Sequence, residues 1–140
     1  MTPAPLMGAV IGGVTIIVPD YDAGIAFYCG VLGFDLIENL DQGHKRWVTV
    51  APPAGVGSAQ GRATRVILAR AETAEQRAAI GQHGGGRVWL FLHSPDFARD
   101  HAAMLAAGVD FEEEPRPEAY GTVAVWRDPF GNRWDLIGPA

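Results

Sequence analysis

The sequence predicts an α+β fold built from two tandem βαβββ modules. Three observations carry that prediction: apolar positions that switch between strand and helix periods, Pro-Asp starts and Gly stops at matching places, and a fixed offset between the halves. Gly33 matches Gly108 and Trp47 matches Thr122, both 75 residues apart.

Module one spans about residues 8–70. "VTIIV" reads as a buried strand that stops at Pro19-Asp20. A helix follows, with Asp20 as its cap, Tyr21, Ile25, Tyr28 and Leu32 as its apolar stripe, and Gly33 as its left-handed stop. Three strands complete the module, "FDLIENL", "KRWVTVA" and "RVILARA". The linker, residues 71–86, is a short Ala/Glu/Gln/Arg helical piece followed by "GQHGGG". No Lys-Ser/Thr follows those glycines and a strand comes next, so they read as a hinge and not as a phosphate loop.

Module two spans about residues 87–138 and repeats the plan. After "VWLFLH", Ser94 is expected to cap a helix that Pro95 opens, with Phe97, Ala98, Met104 and Leu105 facing inward and Gly108 closing it. The strands "VDFEEEP", "TVAVWRD" and "NRWDLIG" follow. The last strands match at an offset of 68 because the first module has the longer loop, "PPAGVGSAQG".

A chain of 140 residues, 48% apolar and 19% charged, suits one compact domain that folds unaided. A net charge of -5 without a concentration of Lys and Arg argues against nucleic acid as a partner. The apolar stretch from Leu6 to Val18 has no preceding Lys or Arg and is too short to span a bilayer, so neither a secretory signal nor a membrane partner is expected. Cys29, the sole cysteine, cannot form an intrachain disulfide and reads as a small core residue, which fits a reducing cytoplasm.

The paired modules, with "VPDYDAGIAFYCGVLGF" near the start and "DPFGNRWDLI" at the end, resemble the vicinal oxygen chelate superfamily. That group includes glyoxalase I, extradiol dioxygenases and the bleomycin and fosfomycin resistance proteins. The resemblance covers nearly the whole chain. It implies a curled mixed sheet around an open U-shaped cavity, helices outside, and a homodimer. It also implies one divalent metal held from four strands, at positions that fall here on Gly13, Ile67, Trp89 and Asp135. Three of these cannot ligate, whereas a catalytic divalent site needs about three protein ligands. No cofactor is therefore expected, with a divalent metal in a non-standard ligand set as the alternative.

Strand alternation then lists the cavity wall. With Val14, Ile16, Val18, Leu90 and Leu92 under the helices, Thr15 and Ile17 face the cavity from module one, and Trp89, Phe91 and His93 from module two. With Val48, Val50, Val123 and Val125 in the core, Trp47, Thr49, Thr122, Ala124 and Trp126 face the cavity, joined by Arg133, Asp135 and Ile137. The expected ligand-binding set is Thr15, Trp47, Trp89, Phe91, His93, Trp126 and Asp135, an aromatic wall suited to a flat or bulky, aromatic or cationic molecule.

His93 and Asp135 are the expected catalytic pair if the protein is an enzyme, a lyase, isomerase or dioxygenase-like activity with His93 as base and Asp135 orienting it. Against this, His93 reads equally as a strand-end residue bonded to backbone or water, and Asp135 as the partner of Arg133 or Arg65. His44, His83 and His101 read as solvent-facing or packed. A metal site from His93, Asp135 and Glu118 has no short-range spacing to support it. In "EEEPRPEAYG", Pro115 and Pro117 blunt a solvated edge, while Arg116, Glu118 and Tyr120 could form a rim over a ligand.

Overall fold

The computed structural model of the protein describes residues 6–53 and 63–139. Two mixed sheets form, one for each module of the repeat. Sheet one contains β1 (Gly13–Val18), β2 (Asp35–Asp41), β3 (Arg46–Ala51) and β4 (Arg65–Arg70) in the order β1-β4-β3-β2, with β1 parallel to β4 and the other pairs antiparallel. Sheet two contains β5 (Leu90–His93), β6 (Asp110–Phe111), β7 (Arg116–Glu118), β8 (Gly121–Arg127) and β9 (Arg133–Gly138). Here β5 runs parallel to β9, β9 antiparallel to β8, and β6 and β7 both pair with β8. The long loop expected between β3 and β4 lies mostly outside the described residues. Among those residues no helix is long and apolar enough to cross a membrane.

The strand expected over "VDFEEEP" is the main departure from the repeat. It shrinks to the two residues of β6, and β7 takes up the same edge of β8 further along. Glu113 explains the break. Its carboxylate accepts the Val125 amide at 2.8 Å, so a side chain takes the place of a ladder partner, and Pro115 and Pro117 have no amide to offer.

Helix α1 (Tyr21–Ile25) is capped by Asp20, whose carboxylate accepts the Ala23 amide at 3.1 Å, and it continues as a π-helical turn over Ala26–Val31. It stops at Gly33, which has φ +77 and so suits a residue without Cβ. Tyr21 and Tyr28 are buried, and Ile25 and Leu32 pack on the core, as the stripe predicts. Cys29 packs there too, half-buried, and burial with Asp35 nearby raises its thiol pKa. The linker helix α2 (Ala74–Ala79) is capped by Thr73.

Helix α3 (Phe97–Ala106) begins two residues later than the Ser94 cap and Pro95 start predict. Asp96 is its cap, accepting the Arg99 amide at 3.2 Å, while Ser94 accepts the Asp96 amide at 3.0 Å and donates to Asp100 at 2.5 Å. Phe97 and Met104 are its buried residues; Leu105 is 51% exposed, and Ala98 is exposed as well. Phe97 and Met104 are two turns apart, and Ala98 and Leu105 lie about 100° further round, so one pair faces the sheet and the other faces water.

The two modules meet at α1. Its π-helical end belongs to module one but packs on sheet two, with Phe27 6.2 Å from Trp126 and Tyr28 5.9 Å from Trp134, ring centre to ring centre. Trp126 and Trp134 stack on each other at 5.0 Å and 18°. Beneath them the Tyr28 hydroxyl donates to Asp128 at 2.5 Å. Burial, then the Asp128 charge, raises the Tyr28 pKa well above the usual tyrosine range. Asp128 also accepts the Phe130 and Asn132 amides at 2.9 Å and the Asn132 side chain at 2.8 Å. The acid of "DPFGN" thus closes its own turn and ties it to α1.

This joint overturns one expected phase. Ala124 and Trp126, not Val123 and Val125, face the helices, because the β8–β9 register sets Trp126 beside Trp134 and Val125 beside Asp135. A one-residue change of phase moves every side chain of a strand to the other face. The linker differs from a free hinge as well. It winds through turns at Gln82–Gly85 and Gly84–Arg87, and His83 Nε2 accepts the Ile17 amide at 3.1 Å on the free edge of β1. Gly81 has φ +74, and a Cβ there would stand 2.3 Å from the Phe130 carbonyl oxygen, so glycine lets the linker meet the Asp128 turn.

Candidate functional site

In sheet one, Val48, Val50, Val66 and Leu68 fill the core, which turns Thr15, Ile17, Trp47 and Ile67 to the opposite face. Trp47 is 36% exposed there and lies between two adjoining hollows of about 370 Å³ each, both of which it lines together with Ile67. One hollow runs over Thr15 and Ile17 towards Lys45 and Arg70; the other runs over Gly13 towards Glu38, Thr49 and Arg65. Every lining residue of both belongs to the first 76 residues of the chain.

Glu38 is the polar centre of the second hollow. Arg65 donates to it at 2.9 Å and Thr49 at 3.1 Å. The Trp47 indole acts most strongly to hold its carboxyl below the usual range; burial opposes it, and Thr49 and Arg65 add to the lowering. Alternation does not reveal Glu38, because the β2–β3 register shifts between Leu36 and Glu38.

Sheet two presents a different face. Phe91 is 55% exposed and pairs with Asp135, which neighbours Val125 on β8. His93 lies two pairs further, beside Ile137, exposed and with no side-chain hydrogen bond among the described residues. The structure therefore puts His93 and Asp135 on one face but records no bond between them. Asp135 is 8% exposed, and its Oδ1 has no partner among the described residues. Burial raises its pKa, with Arg116 opposing and Glu113 reinforcing. The arginines expected to pair with it are engaged elsewhere: Arg133 with Glu112 at 2.7 Å and the Gly86 carbonyl at 2.8 Å, Arg65 with Glu38. Arg116 pairs with Glu113 and Glu118, and Tyr120 stands 66% exposed beyond them.

Four expected cavity residues lie elsewhere. Trp126 is fully buried in the joint, so it cannot line a ligand cavity. Trp89 precedes β5, donates its amide to Arg133 O at 2.8 Å, and packs on His83 at 5.6 Å, lining a recess of about 70 Å³ beneath the linker. Thr122 and Ala124 follow Trp126 to the helix side, where Thr122 meets the groove beside Phe97. Of the remaining histidines, His44 is exposed and His101 is sandwiched between Phe97 and Phe111.

The four positions where related folds hold a metal do not fit a divalent ion. Gly13 offers no donor, and a Cβ built on it would stand 2.8 Å from Ile67 Cδ1, so the isoleucine at the second position occupies the space a ligating side chain would need. Trp89 is the third, and Asp135 supplies one carboxylate where about three donors are required. Among the described residues no group of three His, Cys, Asp or Glu converges, and Glu118 is bound to Arg116 instead of joining His93 and Asp135.

Two modules of strand, helix and strands, each with its own mixed sheet, define the class, and the sequence comparison agrees. The chain belongs to the Glyoxalase/Bleomycin resistance protein/Dioxygenase superfamily, whose profile matches residues 10–136. A protein of Shewanella frigidimarina (strain NCIMB 400), described as uncharacterized, is 45% identical over 126 residues, 89% of each chain. Among solved structures, UcmS2 is similar with a TM-score of 0.77 and 29% identity, over 94% of this chain and 98% of that one. TnmS3, an antibiotic binding protein from Streptomyces sp. CB03234, is similar with a TM-score of 0.73 and 26% identity, over 96% of this chain and all of that one (100%).

Proposed function

We propose that the protein is a metal-independent binder of a small, flat organic molecule, held against Trp47 in the concave face of sheet one. The half-exposed Trp47 between two hollows carries this reading. An indole face beside apolar Ile17 and Ile67, with Thr15 and Glu38 as polar fixes, is what such a molecule needs for contact area and orientation. The antibiotic-binding description of TnmS3 and the poor donor set at the metal positions support it.

The reading extends to a homodimer in which a second copy closes the site. Leu36, Ile37 and Leu40 on the β2 edge and Phe91 on β5 are large apolar residues left in water by one chain. Titrating aromatic probes while following tryptophan emission tests the binding. Affinity for at least one probe should survive chelator treatment and fall in Trp47→Ala; affinity that requires added metal, or is indifferent to Trp47, sinks the reading. Sedimentation analysis checks the dimer separately.

A second reading rests on Asp135. A buried carboxyl with a raised pKa and an oxygen that has no partner among the described residues, on the same face as an exposed histidine, suits acid-base chemistry. Turnover that disappears in His93→Ala at unchanged fold would favour it over simple binding.

A further inference from the structure

We propose that the hollow on sheet one selects anionic aromatic molecules, with the ring against Trp47 and the negative group at the end formed by Lys45, Arg46 and Arg70. This rests on the binding reading above and names its ligand class.

The charge at that end opposes the charge of the chain. The protein carries -5 overall, yet three cations line this hollow against one carboxylate, Glu72. Adding Asp22, which pairs with Arg46 at 2.9 Å from a largely exposed position, still leaves three positive groups against two negative ones. Each acid is more exposed to water than the arginine it pairs with, so it offsets less field at the wall than that arginine supplies.

The cations are also held in place. The Arg46 and Arg70 guanidinium carbons each lie 5.2 Å from the ring centre of the buried Tyr21, so one aromatic ring anchors both heads. Arg46 spends its fork on Asp22 and Asn39 and so supplies field more than contact. Among the described residues Arg70 uses one nitrogen, Nη2, for His44 O and Glu72, and its other donors are available to a ligand. Lys45 has no ion pair among the described residues and borders the same hollow.

The far end of the face sets the orientation. Glu38 is already paired with Arg65 and accepts from Thr49, so its charge is partly answered within the protein. Between the ends lie Ile17, Ile67 and Ala69, a floor for a ring and not for a polar chain. A volume of about 370 Å³ accommodates a bicyclic aromatic acid.

Three matched probes test this by calorimetry on the full chain: 2-naphthoate, neutral 2-naphthamide and 2-naphthylmethylammonium. Naphthoate should bind about tenfold more tightly than the amide, with the ammonium weakest, and its advantage should shrink as salt screens the cations. Lys45→Gln, an exposed loop substitution, should collapse the ratio between naphthoate and amide, and Arg70→Gln should do so independently. Equal affinities, a preference for the ammonium, or a ratio that neither variant moves would overturn the charge selection while leaving aromatic binding intact. Failure of all three probes to bind would overturn both the selection and the binding reading.

Discussion

The outward faces of the two sheets descend from the same strand plan and differ in where their tryptophans went. In sheet one Trp47 stands on the outer face between two hollows, and valine and leucine fill the core. In sheet two Trp126 and Trp134 turn inward and stack beneath α1, leaving Phe91, His93 and Asp135 outside. A repeat preserves the order of strands, but the pairing register decides which half keeps its aromatic surface for contact with a ligand and which spends it on the joint.

The contrast is sharpest in a pair of truncations. Trp126→Ala should empty the joint and lower stability by about 3–5 kcal/mol in thermal or denaturant unfolding, as large-to-small core changes do. Loss below about 1 kcal/mol would break the assignment of sheet two's tryptophans to structure. Tyr28→Phe tests the same joint more gently. Asp128 loses its short tyrosine donor while keeping three others, so a cost of about 1–3 kcal/mol is expected.

On sheet one the same kind of substitution should act on binding. Trp47→Ala should weaken an aromatic probe about tenfold, roughly 1.4 kcal/mol, with less than about 1 kcal/mol of lost stability. A large drop in melting temperature with unchanged affinity would make Trp47 another structural tryptophan.

The smallest expected effect concerns the linker. His83 accepts the Ile17 amide and is partly buried, and burial holds its pKa below the ordinary value. A histidine depressed in the folded state contributes fully above its unfolded pKa of about 6.5, and its contribution is lost as pH falls from there through the folded value. Melting temperature should therefore fall between about pH 7 and pH 5 by more in the native chain than in His83→Gln, whose amide oxygen can accept the same bond without titrating. Identical slopes would mean that His83 does not hold β1 through its neutral form.

Much of this was legible in the chain. The Asp20 cap, the Gly33 stop and the α1 stripe are local signals, written in residues a few positions apart, and they hold; the offset of 75 that matches Trp47 with Thr122 does not, since the two fall on opposite faces of their strands. In sheet one the Thr15, Ile17 and Trp47 face followed from alternation because β1 and β3 are regular. Glu38 escaped because a register shift interrupts β2, and the cationic end escaped because Lys45, Arg46 and Arg70 come together from the loop before β3, its first residue and the end of β4.

The sequence by itself determined the two-module plan and most of the element order, since both depend on residue type and near spacing. Tertiary structure alone decided that Trp126 is core and Trp47 surface, that Asp128 answers to Tyr28 a hundred residues away, and that Asp135 has an oxygen without a partner among the described residues. Those outcomes depend on register and on which helix end reaches which sheet, and a strand's own pattern reads the same from either face.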